Sequence, residues 1–343
     1  MVTAAMIWEW ILKSLFIILF MTGGFAYTTL YERKVLARMQ VRVGPNRAGP
    51  FGILQPIADG IKLIFKEELI PSKADKFIFI LAPIITVIPA LIITAVIPWG
   101  ETVNLFGKTY TLYLADINVA VLYIMAVTSI SVYGIALAGW ASNNKYAALG
   151  GLRATAQMIS YELALGLSFV GPVILAGSMS FLDIVRGQQG LWYIFLQPAG
   201  FMLFLVSSIA EVNRAPFDMP EAEQELTAGY HSEYSGMKFA LFFMAEYIKM
   251  IAVAMIGSSL FLGGFLSPVG FLSDIPVIGW LFGHGPHWLL LKTAGWLFLM
   301  IWVRATLPRI RYDRLMQLGW KVMFPIGLLN VLITAAVVVL VGG

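Results

Sequence analysis

Long apolar runs separated by short polar segments set the pattern of this chain. Eight of them, near 7–31, 77–98, 117–140, 154–178, 192–212, 237–264, 287–305 and 315–341, are long enough as helices to cross a hydrocarbon core of about 30 Å. The runs continue almost to residue 343, and no small-residue cleavage site follows the first. The first run is therefore expected to be a retained span rather than a leader. The pattern predicts an all-α polytopic membrane protein, a single integral membrane domain over 1–343 with eight transmembrane helices.

Segment 55–71 reads differently. It is too short to cross, carries Pro56 in its first turn, and groups Ile57, Ile61, Ile64 and Phe65 on one helical face with Asp59, Lys62 and Lys66 on another. Such a helix is expected in the membrane interface, where it walls an entrance for a lipid-soluble ligand; the plainer alternative is an amphipathic linker. Gly44 to Pro50, GPNRAGP, is a rigid turn sequence. The chain shows no repeat and no P-loop, and the glycines of GGFAYTTLYERK from Gly23 lack the spacing of a dinucleotide fingerprint.

Composition supports the lipid reading: 59% of residues are hydrophobic, 12% are charged, and the mean hydropathy is +0.82. There is no cysteine, and the three histidines, His231, His284 and His287, are scattered, so no thiolates are present for an iron–sulfur cluster and no paired haem ligands are expected. Of the 23 lysines and arginines, 17 lie in 32–76, 141–153, 213–238 and 304–314, whereas the intervening loops hold only Lys108 and Arg186. By the positive-inside rule the basic loops face the cytoplasm and both termini face the other side.

One cytoplasmic loop opposes that bias. Residues 211–236 carry Glu211, Asp218, Glu221, Glu223, Glu225 and Glu233 against a single arginine, Arg214. The spacing does not match an EF-hand loop, so the expected use is contact with a soluble partner, the alternative being a solvated acidic turn. Ionisable residues inside spans cost about 2.5–3.5 kcal/mol each on insertion scales, so Glu162, Glu211, Glu246 and Lys249 point to a polar interior. Glu246 and Lys249, three apart, share a helical face and are expected to partly neutralise each other. The three glutamates form a candidate proton path. The arginines after the first span, Arg33 and Arg42 among them, and Arg304 and Arg309 before the last either meet lipid headgroups or pair with loop carboxylates.

Four stretches carry a resemblance: ERKVLARMQVRVGPNRAGPFGILQPIADGIKL from Glu32, AGWASNNKYAALGGLRATAQMISYE from Ala138, the 211–236 loop, and WVRATLPRIRYDRLMQLGWK from Trp302. In order and over nearly the whole chain, they resemble the quinone-site membrane subunit of proton-pumping NADH:quinone oxidoreductase, respiratory complex I, the H-type subunit of bacteria and subunit 1 of mitochondria. The resemblance implies an eight-helix heel between the membrane arm and the redox arm. It implies that Arg33, Arg42 and Asp59 border a quinone chamber and its entrance, and that Glu162, Glu211 and Glu246 form the buried path. Asp218, Glu221, Glu223, Glu225 and Glu233, with Arg214, would face the redox arm, and Arg304 and Arg309 would act as counter-charges. Quinone is then the substrate, and NADH, FMN and iron–sulfur clusters belong to partner subunits. The implied partners are the cluster-bearing and quinone-site soluble subunits, the small and antiporter-like membrane subunits, and the lipid of a bacterial inner membrane; no nucleic acid is implied. Two other readings stay open: the anchor of a related membrane-bound hydrogenase or other donor:quinone dehydrogenase, and an autonomous ion transporter, which would show inverted repeats.

Overall fold

The computed structural model describes residues 4–105, 108–218, 229–270 and 282–342. Helix α1 runs over Ala4–Met39, 36 residues, eight beyond the apolar run that predicts it. Its extension, Glu32 to Met39, is made of good helix formers, so the helix continues after the apolar residues stop. A turn segment follows, then α2 over Gln55–Phe65, with proline in its first turn as expected. Helix α3, Lys76–Ile92, is capped by Asp75, whose carboxylate accepts from Phe77 N and Ile78 N at 3.1 and 3.2 Å.

A two-stranded antiparallel hairpin, β1 (Thr102–Leu105) and β2 (Lys108–Thr111), comes next, with Thr102 opposite Thr111. The all-helical expectation did not include it, although Thr, Val and Tyr at these positions favour extended backbone. Then come α4 (Ala120–Ala141) and α5 (Lys145–Ala176), the second capped by Asn144 and closed by Gly177 in the left-handed region at φ +65°. Short helices α6 (Phe181–Arg186) and α7 (Tyr193–Leu196) lead into α8 (Pro198–Glu211), followed by α9 (Gly236–Phe261) and α10 (Pro286–Thr306). Helix α11 (Tyr312–Gln317) passes through a π-helical turn, Leu318–Met323, into α12 (Phe324–Gly342).

Among the described residues seven segments are long and apolar enough to cross a membrane, and α8 is a shorter apolar eighth. The fold is that of an all-α polytopic membrane protein. The expected crossing at 192–212 is divided: Gln197 leaves helical geometry at φ −130°, and Pro198, which lacks an N–H, begins a new helix of 14 residues. At 1.5 Å per residue α8 covers only about 21 Å, so it alone does not match a full hydrocarbon core.

Helices α3, α4, α5, α8 and α9 surround a core that includes Ile124, Tyr161, Phe169, Phe204 and Phe261. Helix α1 adds Ile17 and Met21 to that core from one face and exposes Leu12, Phe16 and Leu19 on another, while α12 exposes Leu332, Val339 and Leu340. In lipid, where apolar side chains gain little by leaving the solvent, close backbone approach matters more. Gly139 of α4 and Gly151 of α5 supply it: a Cβ at Gly139 would lie 2.7 Å from the Ala147 carbonyl oxygen and 3.1 Å from Gly151 Cα. Gly139→Leu is therefore expected to force α4 and α5 apart and to lower the amount of protein inserted in membranes several-fold, as measured by immunoblot of the membrane fraction, whereas Gly60→Ala, where a Cβ meets nothing within 4 Å, should leave it near wild type.

Candidate functional site

Elements remote in sequence converge near the end of α1. Glu32, only 3% exposed, is the centre. Its Oε1 pairs with Arg214 Nη1 at 3.3 Å and with Arg304 of α10, while its Oε2 accepts from the Tyr247 hydroxyl of α9 at 2.7 Å. Arg214, on the turn after α8, also reaches Glu246 Oε1 at 2.6 Å through its Nε and lies over the Tyr247 ring, 4.2 Å from its centroid. Two carboxylates and two guanidiniums, the pairs formed by four separate elements, thus balance each other's charge in one place. Burial works against a charge on Arg214, yet Glu246 and Glu32 more than offset it, and the pKa of the guanidinium is held above its ordinary value.

A glutamine places Arg214. The buried Gln157 of α5 directs its Nε2 at the Ala210 carbonyl (2.9 Å), the Asn213 Oδ1 (3.2 Å) and the Phe217 carbonyl (2.8 Å), tying down the turn in which Arg214 sits. Further along, Asp218 is buried and meets Arg309 Nη2 at 3.2 Å. Glu233 accepts from Asn144 Nδ2, the residue that caps α5, at 2.7 Å. Glu221, Glu223 and Glu225 lie outside the described residues.

The remaining intramembrane charges sit deeper. Glu162 of α5 accepts from Ser129 and lies 3.3 Å from the Thr128 hydroxyl, both on α4. Glu211, the last residue of α8, is 4% exposed, and Lys249 of α9 donates to Ser131 Oγ at 2.5 Å. The expected partial neutralisation of Glu246 and Lys249 takes place without a direct ion pair. Although they share a helical spacing, the direct contacts go elsewhere: Glu246 pairs with Arg214 at 2.6 Å and Lys249 donates to Ser131 of α4, so what remains between them is electrostatic attraction without an ion-pair contact.

Comparison with known proteins decides what this constellation belongs to. The family model described as NADH dehydrogenase matches residues 12–335. The chain is 54% identical over 325 residues to the H-type subunit of NADH-quinone oxidoreductase from Thermomicrobium roseum, covering 92% of this chain and 92% of that relative. It is 51% identical over 340 residues to an H-type subunit of the same oxidoreductase from Geobacter metallireducens, at 96% and 95% coverage, and 52% identical over 310 residues to the one from Protochlamydia amoebophila, at 90% and 91%. The chain belongs to the NADH-quinone oxidoreductase H-type subunit family.

In this member of the NADH-quinone oxidoreductase family the three residues expected at a quinone chamber divide. Arg33 Nη1 and Asp59 Oδ2 pair at 2.7 Å, Gln55 adds a 3.1 Å bond to Asp59, and together these join the end of α1 to α2. Arg42 turns instead to Gln40 Oε1, 2.8 Å away on the exposed turn after α1. The apolar face of α2 is outward: Ile57, Ile61, Ile64 and Phe65 are all exposed. A large cavity, about 1300 Å³, shares no lining residue with the charge cluster; it lies between the N-terminal half of α1, β2 and the start of α10, with Trp8, Phe16 and Trp99 in its wall.

Sequence reasoning missed three members of the site. Glu32 sits in a basic run that reads as the cytoplasmic end of a span, Tyr247 reads as one more apolar position of α9, and Gln157 carries no charge to draw attention. A signal for Glu32 was nonetheless present: a carboxylate only one residue past the expected end of a span, followed by three basic residues within six positions.

Proposed function

We propose that this chain is the membrane subunit of a proton-translocating NADH:quinone oxidoreductase, that its cytoplasmic half forms much of the quinone chamber, and that its buried carboxylates couple quinone reduction to proton movement. The observation that carries the reading is the cluster where α1, the α8–α9 turn, α9 and α10 meet: Glu32, Arg214 and Glu246 inside the protein, with the more exposed Arg304 closing it from α10. A chain of this family with such a network beside a short amphipathic helix fits the role.

In this reading NADH is oxidised by flavin and iron–sulfur clusters of partner subunits, and the quinone takes up two electrons and two protons to become the quinol. Arg33 and Asp59 hold α2 against α1 at the mouth of the chamber, and Arg42 faces its approach. Asp218, Glu233, Arg214 and Arg309, with Glu221, Glu223 and Glu225, form the face toward the redox arm. Charge change at the quinone is felt first by the Glu32–Arg214–Glu246 network, then by Glu211 and Glu162 within the bundle, because charges interact strongly where water is scarce. Arg304 and Arg309 serve as counter-charges, the first to Glu32 and the second to Asp218. The topology has both termini on the non-cytoplasmic side of a bacterial inner membrane.

Affinity purification of the tagged chain in mild detergent is the test of assembly: NADH-binding, cluster-bearing and antiporter-like membrane subunits are expected to copurify with NADH:quinone reductase activity. A preparation containing a hydrogenase module instead, or ion flux by the isolated chain, would overturn the assignment. Glu162→Gln and Glu246→Gln, each in the intact complex, are expected to lower proton translocation and turnover at least about tenfold at normal complex abundance, about 1.4 kcal/mol or more in the rate-limiting barrier. Unchanged pumping in both variants would remove the carboxylate path.

A further inference from the structure

Glu211 presents an electrostatic difficulty that the carboxylate path does not resolve. It is the last residue of α8, where the helix dipole is negative, and its Oε2 is buried with no hydrogen-bond partner among the described residues. A carboxylate in that position needs a compensating positive group. Lys249 is the cation that faces it, also buried, and of the three donors on its ammonium one is used by Ser131 Oγ at 2.5 Å.

Between the two lies a cavity of about 10 Å³, lined by Glu211, Lys249 and Thr128 and closed by apolar side chains that include Val212, Val253 and Ile256. That volume is about one probe sphere, the least that holds one water, and the three polar groups meet the requirement of two to four partners. Thr128 extends the line, since its hydroxyl lies 3.3 Å from Glu162 Oε1.

We propose that this cavity is a one-water relay site joining Glu211 to Glu162, and that Lys249 is a positioning residue which sets the charge on Glu211 across it. The proposal rests on the coupling role given above and adds a cation to what was a line of carboxylates alone. With the lysine charged, Glu211 rests as a carboxylate and accepts a proton through the water; the proton passes on toward Glu162 by the Thr128 hydroxyl, which receives one proton as it gives up another. The carboxylates acting on Lys249 are Glu211 of α8, Glu162 of α5 and Glu246 of its own helix. Helix α4 offers it hydroxyls, α3 has no charged side chain from Phe77 to Ile92, and Glu32 of α1 is engaged by Arg214, Arg304 and Tyr247.

The experiment uses the intact complex in proteoliposomes and measures NADH:quinone reductase turnover and proton uptake from about pH 5.5 to about pH 9, a range that brackets the titration of a buried carboxylate. Lys249→Gln removes the cation, so Glu211 holds its proton to higher pH, and the turnover profile is expected to move alkaline by about one unit with roughly tenfold loss at neutral pH. Lys249→Arg, which keeps the charge, is expected to return most of the turnover with a profile close to wild type. A Lys249→Gln profile superimposable on wild type, while Glu211→Gln is impaired, would overturn the role of Lys249 and leave the carboxylate path standing. A Glu211→Gln complex that pumps normally would overturn the path itself. If Lys249→Gln fails to assemble, the double variant with Glu211→Gln decides: recovered assembly supports the pairing across the cavity, and equal failure overturns it.

Discussion

Replacing Arg214 with methionine is expected to lower the amount of assembled complex several-fold and to cut quinone reductase activity per remaining complex at least about tenfold. The guanidinium serves Glu32 through Nη1 and Glu246 through Nε, and stacks over the Tyr247 ring as well. Removing one partner of a buried pair costs about 3–5 kcal/mol, because the opposite charge stays behind without compensation. Arg304 and Tyr247 would still hold Glu32, whereas Glu246 loses its 2.6 Å ion pair with Nε. That makes a second variant informative. Arg214→Met combined with Glu246→Gln also neutralises the carboxylate that lost the ion pair and is expected to recover abundance without recovering activity, which native gels and activity normalised to complex content can separate. Arg214→Lys should behave much more like the methionine variant than like wild type, since an ammonium is a point charge and does not reproduce a planar fork aimed at two carboxylates. Full activity in Arg214→Met would mean that the network is a passive filler of the bundle.

The spans were legible in the sequence because lipid imposes a simple rule: backbone polar groups must be satisfied within each segment, so long apolar runs become helices. The amphipathic character of α2 was equally plain from Ile57, Ile61 and Ile64 against Asp59 and Lys62. What could not be read was the length of helix beyond the apolar run, as in α1, where Glu32 to Met39 continues the helix and thereby carries Glu32 into the site. The division of the fifth crossing at Gln197 and Pro198 was signalled by the proline, but hydropathy alone passed over it. Within the site, the partners of Glu32 lie 182 and 272 residues away, and no local spacing encodes such contacts. That the direct partners of Glu246 and Lys249 are Arg214 and Ser131 rather than each other was hidden for the related reason that helical periodicity states which residues share a face, not which neighbouring element presents a better partner. The family resemblance supplied the eight-helix fold and placed Glu162, Glu211 and Glu246 as candidates; the geometry adds that their surroundings differ, with hydroxyls at Glu162, an arginine at Glu246, and Lys249 across a small cavity from Glu211.

Gln157→Leu is expected to produce a second large loss, through a residue that makes no direct contact with any charged group of the network. Leucine keeps most of the side-chain volume, so packing against α8 changes little, but the amide that meets the Ala210 carbonyl, the Asn213 side chain and the Phe217 carbonyl is gone. Each buried acceptor left unmade costs about 1–3 kcal/mol, and even partial relaxation of the three leaves a few kcal/mol to be recovered by movement of the 210–217 turn. Movement of that turn displaces Arg214, which it carries between Glu32 and Glu246. Activity per complex should therefore fall by about an order of magnitude or more, with sensitivity of the 210–217 region to protease or hydrogen exchange rising in parallel. Gln157→Glu separates loss of donors from loss of shape: it keeps the size and adds an acceptor facing two carbonyl oxygens, so it should be worse than leucine. If glutamate and leucine were both tolerated, the turn would be held by its own backbone bonds, such as Arg214 N to the Ile209 carbonyl at 3.3 Å and Phe217 N to the Arg214 carbonyl at 2.8 Å, and Gln157 would be packing alone.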